Sequence, residues 1–203
     1  MSAARVVSKH YGGRRNSTST VAHGLANYYA EIGRATPLEL LVYSRDWVSP
    51  NPAWVEQLAA RVPTPACDGQ GDLRRYQQII NRVGDRLHWI GGAGDDCVPG
   101  YYSINIRTYT SSIATVAPKL SLTLHETASA GDSAALMRLM NTYVIPLYEL
   151  RASRKGYEVS VMKEMMNVLG FAAGPVRPPL PQLRLEDLDQ VKAILKSWKP
   201  FLS

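Results

Sequence analysis

Four short segments of this chain carry residue types that could do chemistry, and each sits at the C-terminal end of an expected strand. Tyr43-Ser44-Arg45-Asp46 closes the run Leu38–Val42. A tyrosine at a strand end can shuttle a proton, and an arginine beside it can clamp a carboxylate. The same residues also suit a tyrosine at a core edge beside an Arg/Asp surface pair. Cys67-Asp68-Gly69-Gln70-Gly71-Asp72 marks a strand turning into a helix. Its glycines permit a tight turn, and Asp72 can cap the next helix. Gly91-Gly92 offers close backbone approach to a ligand, and Tyr109-Thr110-Ser111-Ser112 sets hydroxyls at a further strand end. No Walker loop, GxGxxG, GxSxG or HExxH occurs, which argues against the commonest nucleotide, hydrolase and zinc-protease chemistries.

The elements that must hold these segments are read from apolar spacing. A helix is expected over Val21–Ile32, with Leu25, Tyr28, Tyr29 and Ile32 on one side. Leu38–Tyr43 reads as a buried parallel strand, and Asn51–Ala60 as a short helix opened by its prolines. Arg61–Cys67 is a possible strand weakened by Pro63 and Pro65. Asp72–Val83 is amphipathic, Leu87–Ile90 is a strand ending at Gly91-Gly92, and Ile104–Ile113 reads as a fourth strand after a short helical passage. Beyond Pro118 the chain is helical. Leu136, Leu139, Met140, Tyr143, Val144 and Leu147 make one stripe, and Val159, Met162, Met166 and Leu169 another, with methionine as core filler. Gly174–Pro179 is an extended connector, and Leu185, Leu188, Val191 and Leu195 mark a last helix. Strands alternating with helices imply a parallel sheet, either doubly wound or curled into a barrel; spacing does not choose between them.

The bulk properties are those of one ordinary globular protein. It has 203 residues, 45% of them hydrophobic, and a net charge of +6 from 23 basic and 17 acidic residues. The basic residues are scattered, so a solvated surface is expected and no nucleic-acid partner. Cys67 and Cys97 suggest no disulfide framework, and His10, His23, His88 and His125 lack zinc spacing, so no metal is expected. No membrane span and no secretory leader are evident. The segment before Glu31, rich in Arg, Ser and Thr, loosely mimics a transit peptide, as a shifted start also would. A cytoplasmic location is the expectation.

The segments LLVYSRD (40–46), CDGQGD (67–72), IGG (90–92), TYTSSIATVAP (108–118), RKGYEVSVMKEMMNVLG (154–170) and GPVRPPL (174–180) run in one recognisable order. By them the chain resembles the dihydrodipicolinate synthase superfamily of Schiff-base lyases and aldolases, within it the 5-dehydro-4-deoxyglucarate dehydratase branch. The resemblance runs from about Gly24 to the C-terminus. It implies an α/β fold: part of a TIM (β/α)8 barrel, about four to five C-terminal βα units, then a C-terminal helical extension. Residues 1–20 are then a poorly defined N-terminal segment, 21–130 the barrel units and 131–203 the helical region.

In that family a lysine at the end of the sixth barrel strand forms an imine with a 2-keto acid, and a tyrosine at the end of the fifth relays protons. The resemblance assigns the tyrosine to Tyr43 and places Cys67 at the lysine's position. Lys163 matches a lysine of the C-terminal helices, not the nucleophile. Arg45, Gly91, Gly92, Thr110, Ser111 and Ser112 are the expected substrate-binding residues. No cofactor is expected. A thiol cannot form an iminium, so classical Schiff-base activity is expected to be absent. The alternative is a hydro-lyase on 5-dehydro-4-deoxyglucarate or a related keto sugar acid, working without that lysine or in an oligomer. Cys67 as a new nucleophile would need a lowered pKa from the nearby helix N-terminus, which Asp68 and Asp72 oppose. The resemblance implies that the family's first three or four βα units are missing here, with at most a trace of the fourth strand at Arg5–Tyr11. The expected partners are therefore a 2-keto acid or sugar-acid ligand and another chain, either a second copy or a full-length relative, pairing with the open sheet edges.

Overall fold

A computed structural model describes residues 4–7, 19–44, 51–62 and 66–202, with side chains at 24–44, 51–62 and 69–202. Arg45 and Asp46 lie outside the described residues, as does the side chain of Cys67. The chain divides into two compact units, Met1–Thr110 and Ser111–Ser203.

The first unit alternates strands and helices: β1 (Ala4–Val7), α1 (Ser19–Arg34), β2 (Glu39–Ser44), α2 (Pro52–Ala59), β3 (Ala66–Asp68), α3 (Leu73–Val83), β4 (Trp89–Gly91), α4 (Val98–Ser103) and β5 (Thr108–Tyr109). All five strands are parallel, and each pairs with the next in sequence. Sequential addition is the order of a (β/α) barrel, whereas a doubly wound sheet reverses order at a switch point. The topology thus makes the choice that residue spacing leaves open. Of the expected strand trace at Arg5–Tyr11, Arg5, Val6 and Val7 lie in β1, which pairs with Glu39–Val42; the rest lies outside the described residues.

Local chemistry explains the boundaries. Asn51 accepts the Trp54 N–H at 2.8 Å and Pro52 opens α2, whose Trp54, Val55 and Leu58 are buried. Asp72 accepts the Arg75 N–H at 3.0 Å to open α3, and Gly84, at φ 64°, closes it. The Tyr76 hydroxyl donates to the Ile90 carbonyl at 3.2 Å and accepts from the Ile90 N–H at 3.3 Å, pinning α3 to β4.

Two expected strands are shorter than their spacing suggests. Arg61 and Val62 still bond to the Leu58 carbonyl at the end of α2, so among the described residues the strand here is Ala66–Asp68. Ile104–Ile113 yields only Thr108–Tyr109. Ile104 and Ile106 both donate back to the Tyr101 carbonyl, and Asn105 sits at φ 64°, so the first half of that run unwinds a helix.

The second unit is helical: α5 (Pro118–Ser129), α6 (Ser133–Leu139), α7 (Ile145–Ala152), α8 (Tyr157–Val168) and α9 (Leu188–Ser197). Met140–Val144 forms a widened turn joining α6 to α7. Pro146, without an N–H, cannot complete the ordinary ladder there. The α8 stripe is rotated from expectation: Tyr157, Val161, Met162 and Met165 are buried, while Val159 is 37% exposed. Leu185 lies outside α9 and is 89% exposed; Val191, Ile194, Leu195 and Trp198 fill that core instead.

Candidate active site at the strand ends

In the first unit the parallel register sets Tyr43 level with Cys67, and Cys67 level with Ile90. One residue further, Ser44, Asp68 and Gly91 are level. Neighbouring strands lie about 4.8 Å apart, so positions 43 and 67 are adjacent across one ladder. Three of the expected segments therefore converge at the C-terminal edge of β2, β3 and β4. Thr110 joins them: its N–H donates to the Gly91 carbonyl at 2.8 Å and its hydroxyl to the same oxygen at 3.5 Å.

Tyr43 is half-buried and reaches across the β3 end, where its hydroxyl donates to the Gly92 carbonyl at 3.0 Å. Its ring lies against Gly69, where a Cβ would come within 2.5 Å of the ring carbons. The Gly69 N–H in turn donates to the Ser44 carbonyl at 2.7 Å. The tyrosine and the turn after β3 hold each other in place. With its proton committed to Gly92, the phenolic oxygen keeps acceptor capacity for an incoming donor.

Gly91 and Gly92 are both buried. The group that approaches Gly91 closely is the ring of Tyr101, which a Cβ at position 91 would meet at 2.4 Å. Tyr101 is fully buried and its hydroxyl accepts the Ala93 N–H at 3.0 Å, fixing the loop after the two glycines. Ser44 points to the other side of its strand. Its buried hydroxyl accepts from Arg75, which also donates to Gln70 at 3.1 Å, tying α3 to the β2 and β3 ends.

Ser111 and Ser112 open the second unit. Ser111 accepts the Ala114 N–H at 3.0 Å, an ordinary turn bond. The Ser112 hydroxyl accepts from the Arg151 guanidinium at 2.7 Å and lies 3.5 Å from the Tyr148 hydroxyl. Sequence reasoning missed Tyr101, Arg75, Tyr148 and Arg151. Arg151 stands in the run Arg151-Ala152-Ser153-Arg154-Lys155, which reads as solvated basic surface. Among the described residues no group of three His, Cys, Asp or Glu is placed to hold a metal ion, and no helix is long and apolar enough to cross a membrane.

Residues 17–198 match the model of the dihydrodipicolinate synthetase family. The chain is 33% identical over 182 residues to a protein of Ralstonia nicotianae named "Probable 5-dehydro-4-deoxyglucarate dehydratase", covering 88% of this chain and 58% of that protein. It is 29% identical to the Azotobacter vinelandii protein of the same name, covering 90% and 62%. Among solved structures, the dihydrodipicolinate synthase of Bacillus clausii superposes with a TM-score of 0.76 at 25% identity, over 88% of this chain and 61% of that one. The chain thus spans about three fifths of the length of the relatives it matches, and its run of parallel strands fits part of their barrel. With the family's profile matched over residues 17–198, the chain belongs to the dihydrodipicolinate synthetase family.

Proposed function

We propose that this chain binds a keto-acid or sugar-acid ligand as a member of the 2-keto-acid dehydratase and aldolase group, without forming the imine through which the group's classical chemistry runs. The observation that carries this reading is Cys67, in register with Tyr43 at the end of the neighbouring strand. In the family an amine at that strand end condenses with the ketone, and the resulting iminium withdraws electrons from the adjacent C–H bond. A thiol adds to a ketone only as far as a hemithioketal, which is no electron sink. The tether of the Tyr43 hydroxyl to the Gly92 carbonyl supports a retained proton relay, so ligand binding and proton transfer are expected to lose less than the covalent step does.

A second reading keeps lyase activity on 5-dehydro-4-deoxyglucarate or a related acid without a lysine at position 67, or in a completed assembly. It is favoured by Tyr43 being locked between Gly69 and Gly92, since fixed geometry is needed by a general acid–base group. Borohydride trapping separates the two. On incubation with a 2-keto acid and borohydride, intact-mass measurement should show no adduct in the native chain. An adduct on any lysine would refute the proposal. Cys67→Lys tests whether position 67 alone is limiting, and is expected to acquire an adduct at that residue.

A further inference from the structure

The second unit holds a guanidinium whose charge no described acid neutralises. Arg151, on α7, is half-buried, and its Nε is buried with no hydrogen-bond partner. One of its terminal nitrogens donates to the Ser112 hydroxyl at 2.7 Å. Its Cζ lies 4.6 Å from the centroid of the Tyr148 ring, which fixes the plane of the fork. Among the described residues no carboxylate lies within ion-pair distance of it. The other arginines that bond to side chains here mostly meet acids: Arg82 and Arg86 meet Glu56, Arg184 meets Glu186, and Arg75 stands beside Asp72. A buried guanidinium N–H with no acceptor is costly, and a charged one more so. Fixed by stacking, flanked by two hydroxyls and facing no described counter-ion, this fork has the geometry of a carboxylate receptor.

We propose that Arg151, with the hydroxyls of Ser112 and Tyr148, binds a carboxylate carried on a hydroxylated carbon chain. The guanidinium supplies the charge, and the hydroxyls take the second carboxylate oxygen or the neighbouring hydroxyl. That the ligand is a hydroxylated acid rests on the functional reading above; that it is an anion rests on Arg151 alone.

Two commercial compounds isolate the carboxylate. Gluconate and glucitol share a six-carbon hydroxylated chain and differ in one end, a carboxylate in the first and a hydroxymethyl group in the second. By titration calorimetry on the full chain, gluconate should bind at least about tenfold more tightly than glucitol, the worth of one charge-assisted contact. Arg151→Met should erase that ratio while leaving glucitol binding nearly unchanged. Arg151→Lys, which keeps the charge and loses the fork, should retain part of it, and serves if the methionine variant fails to fold. A ratio near one in the native chain, or one that survives both substitutions, would overturn the proposal. Neither result depends on an imine, so failure here and failure in borohydride trapping are separate events.

Discussion

At the scale of single residues, the contact between Tyr43 and Gly69 is the most informative in the first unit. A methyl group at position 69 would overlap the tyrosine ring at 2.5 Å, well inside van der Waals contact. Gly69→Ala is therefore expected to destabilise the chain by about 1–3 kcal/mol and to break the Tyr43 bond to Gly92. In a Tyr43→Ala background the same substitution should cost close to nothing, because the ring it strikes is gone. Denaturant midpoints for the four members of this double-mutant cycle measure the coupling; additive effects would show that the ring and the glycine are independent. Sequence alone signals that a glycine stands in a turn, but not that the turn is roofed by a tyrosine from another strand. That is why Tyr43 and Gly69 were legible separately and their coupling was not. Gly91 teaches the same lesson. Its lack of a side chain suggested room for a ligand, yet the nearest group on that side is Tyr101, which nothing local in the sequence points to.

At the scale of elements, α1 was readable as a helix, although its buried face is Ala26, Tyr29 and Ala30 and not the whole expected stripe Leu25, Tyr28, Tyr29 and Ile32. α2 and α3 were readable because capping residues and apolar spacing agree there. α8 was not, since Tyr157/Val161/Met165 and Val159/Met162/Met166 are equally good stripes on a helix apolar on many sides. The first is selected by the buried Tyr157, whose hydroxyl donates to Asp187 at 2.6 Å and accepts the Arg184 N–H at 3.2 Å. It clamps the start of α8 to the segment leading into α9. Burial, and then the bond to Asp187, push the Tyr157 hydroxyl above its ordinary value of 10.0. A group whose pKa is raised on folding stabilises the folded state fully below the unfolded value, and that stability is lost as pH rises through the folded one. Stability should therefore fall with pH above about 10. Tyr157→Phe should flatten part of that slope while lowering stability near neutral pH by about 1–3 kcal/mol, because the partners lose a charge-assisted bond. Urea unfolding between neutral and strongly alkaline pH reads both effects. An unchanged slope would mean that Tyr157 is not the titrating group; Tyr29, raised mainly by burial and then by Tyr28, would be the next candidate.

At the scale of the molecule, the described strands are five, parallel and in sequential order. Among the described residues β1 is bonded to β2 alone and β5 to β4 alone. The β5 edge offers only two residues, and a short edge is a poor template for pairing. β1 is longer, Ala-Arg-Val-Val, with one arginine as its polar interruption. Parallel sheets occur with both faces covered, an exposed edge is a template for pairing, and the relatives that this chain matches devote roughly two fifths of their length to residues outside the match. The alternation of elements was legible in the sequence because each βα unit announces itself locally. What lies along the outer edge of β1 has no such local signal. The net charge of +6 opposes self-association through long-range repulsion that salt screens, while edge pairing and apolar contact are little affected by salt. Light scattering on the purified chain should therefore report a mass above the 22.4 kDa of one copy, holding or rising as salt is added. Charge-driven capture of nucleic acid would give the opposite trend, dissociating as salt rises. A well-behaved 22.4 kDa particle across the whole salt range would show that β1 needs no second chain.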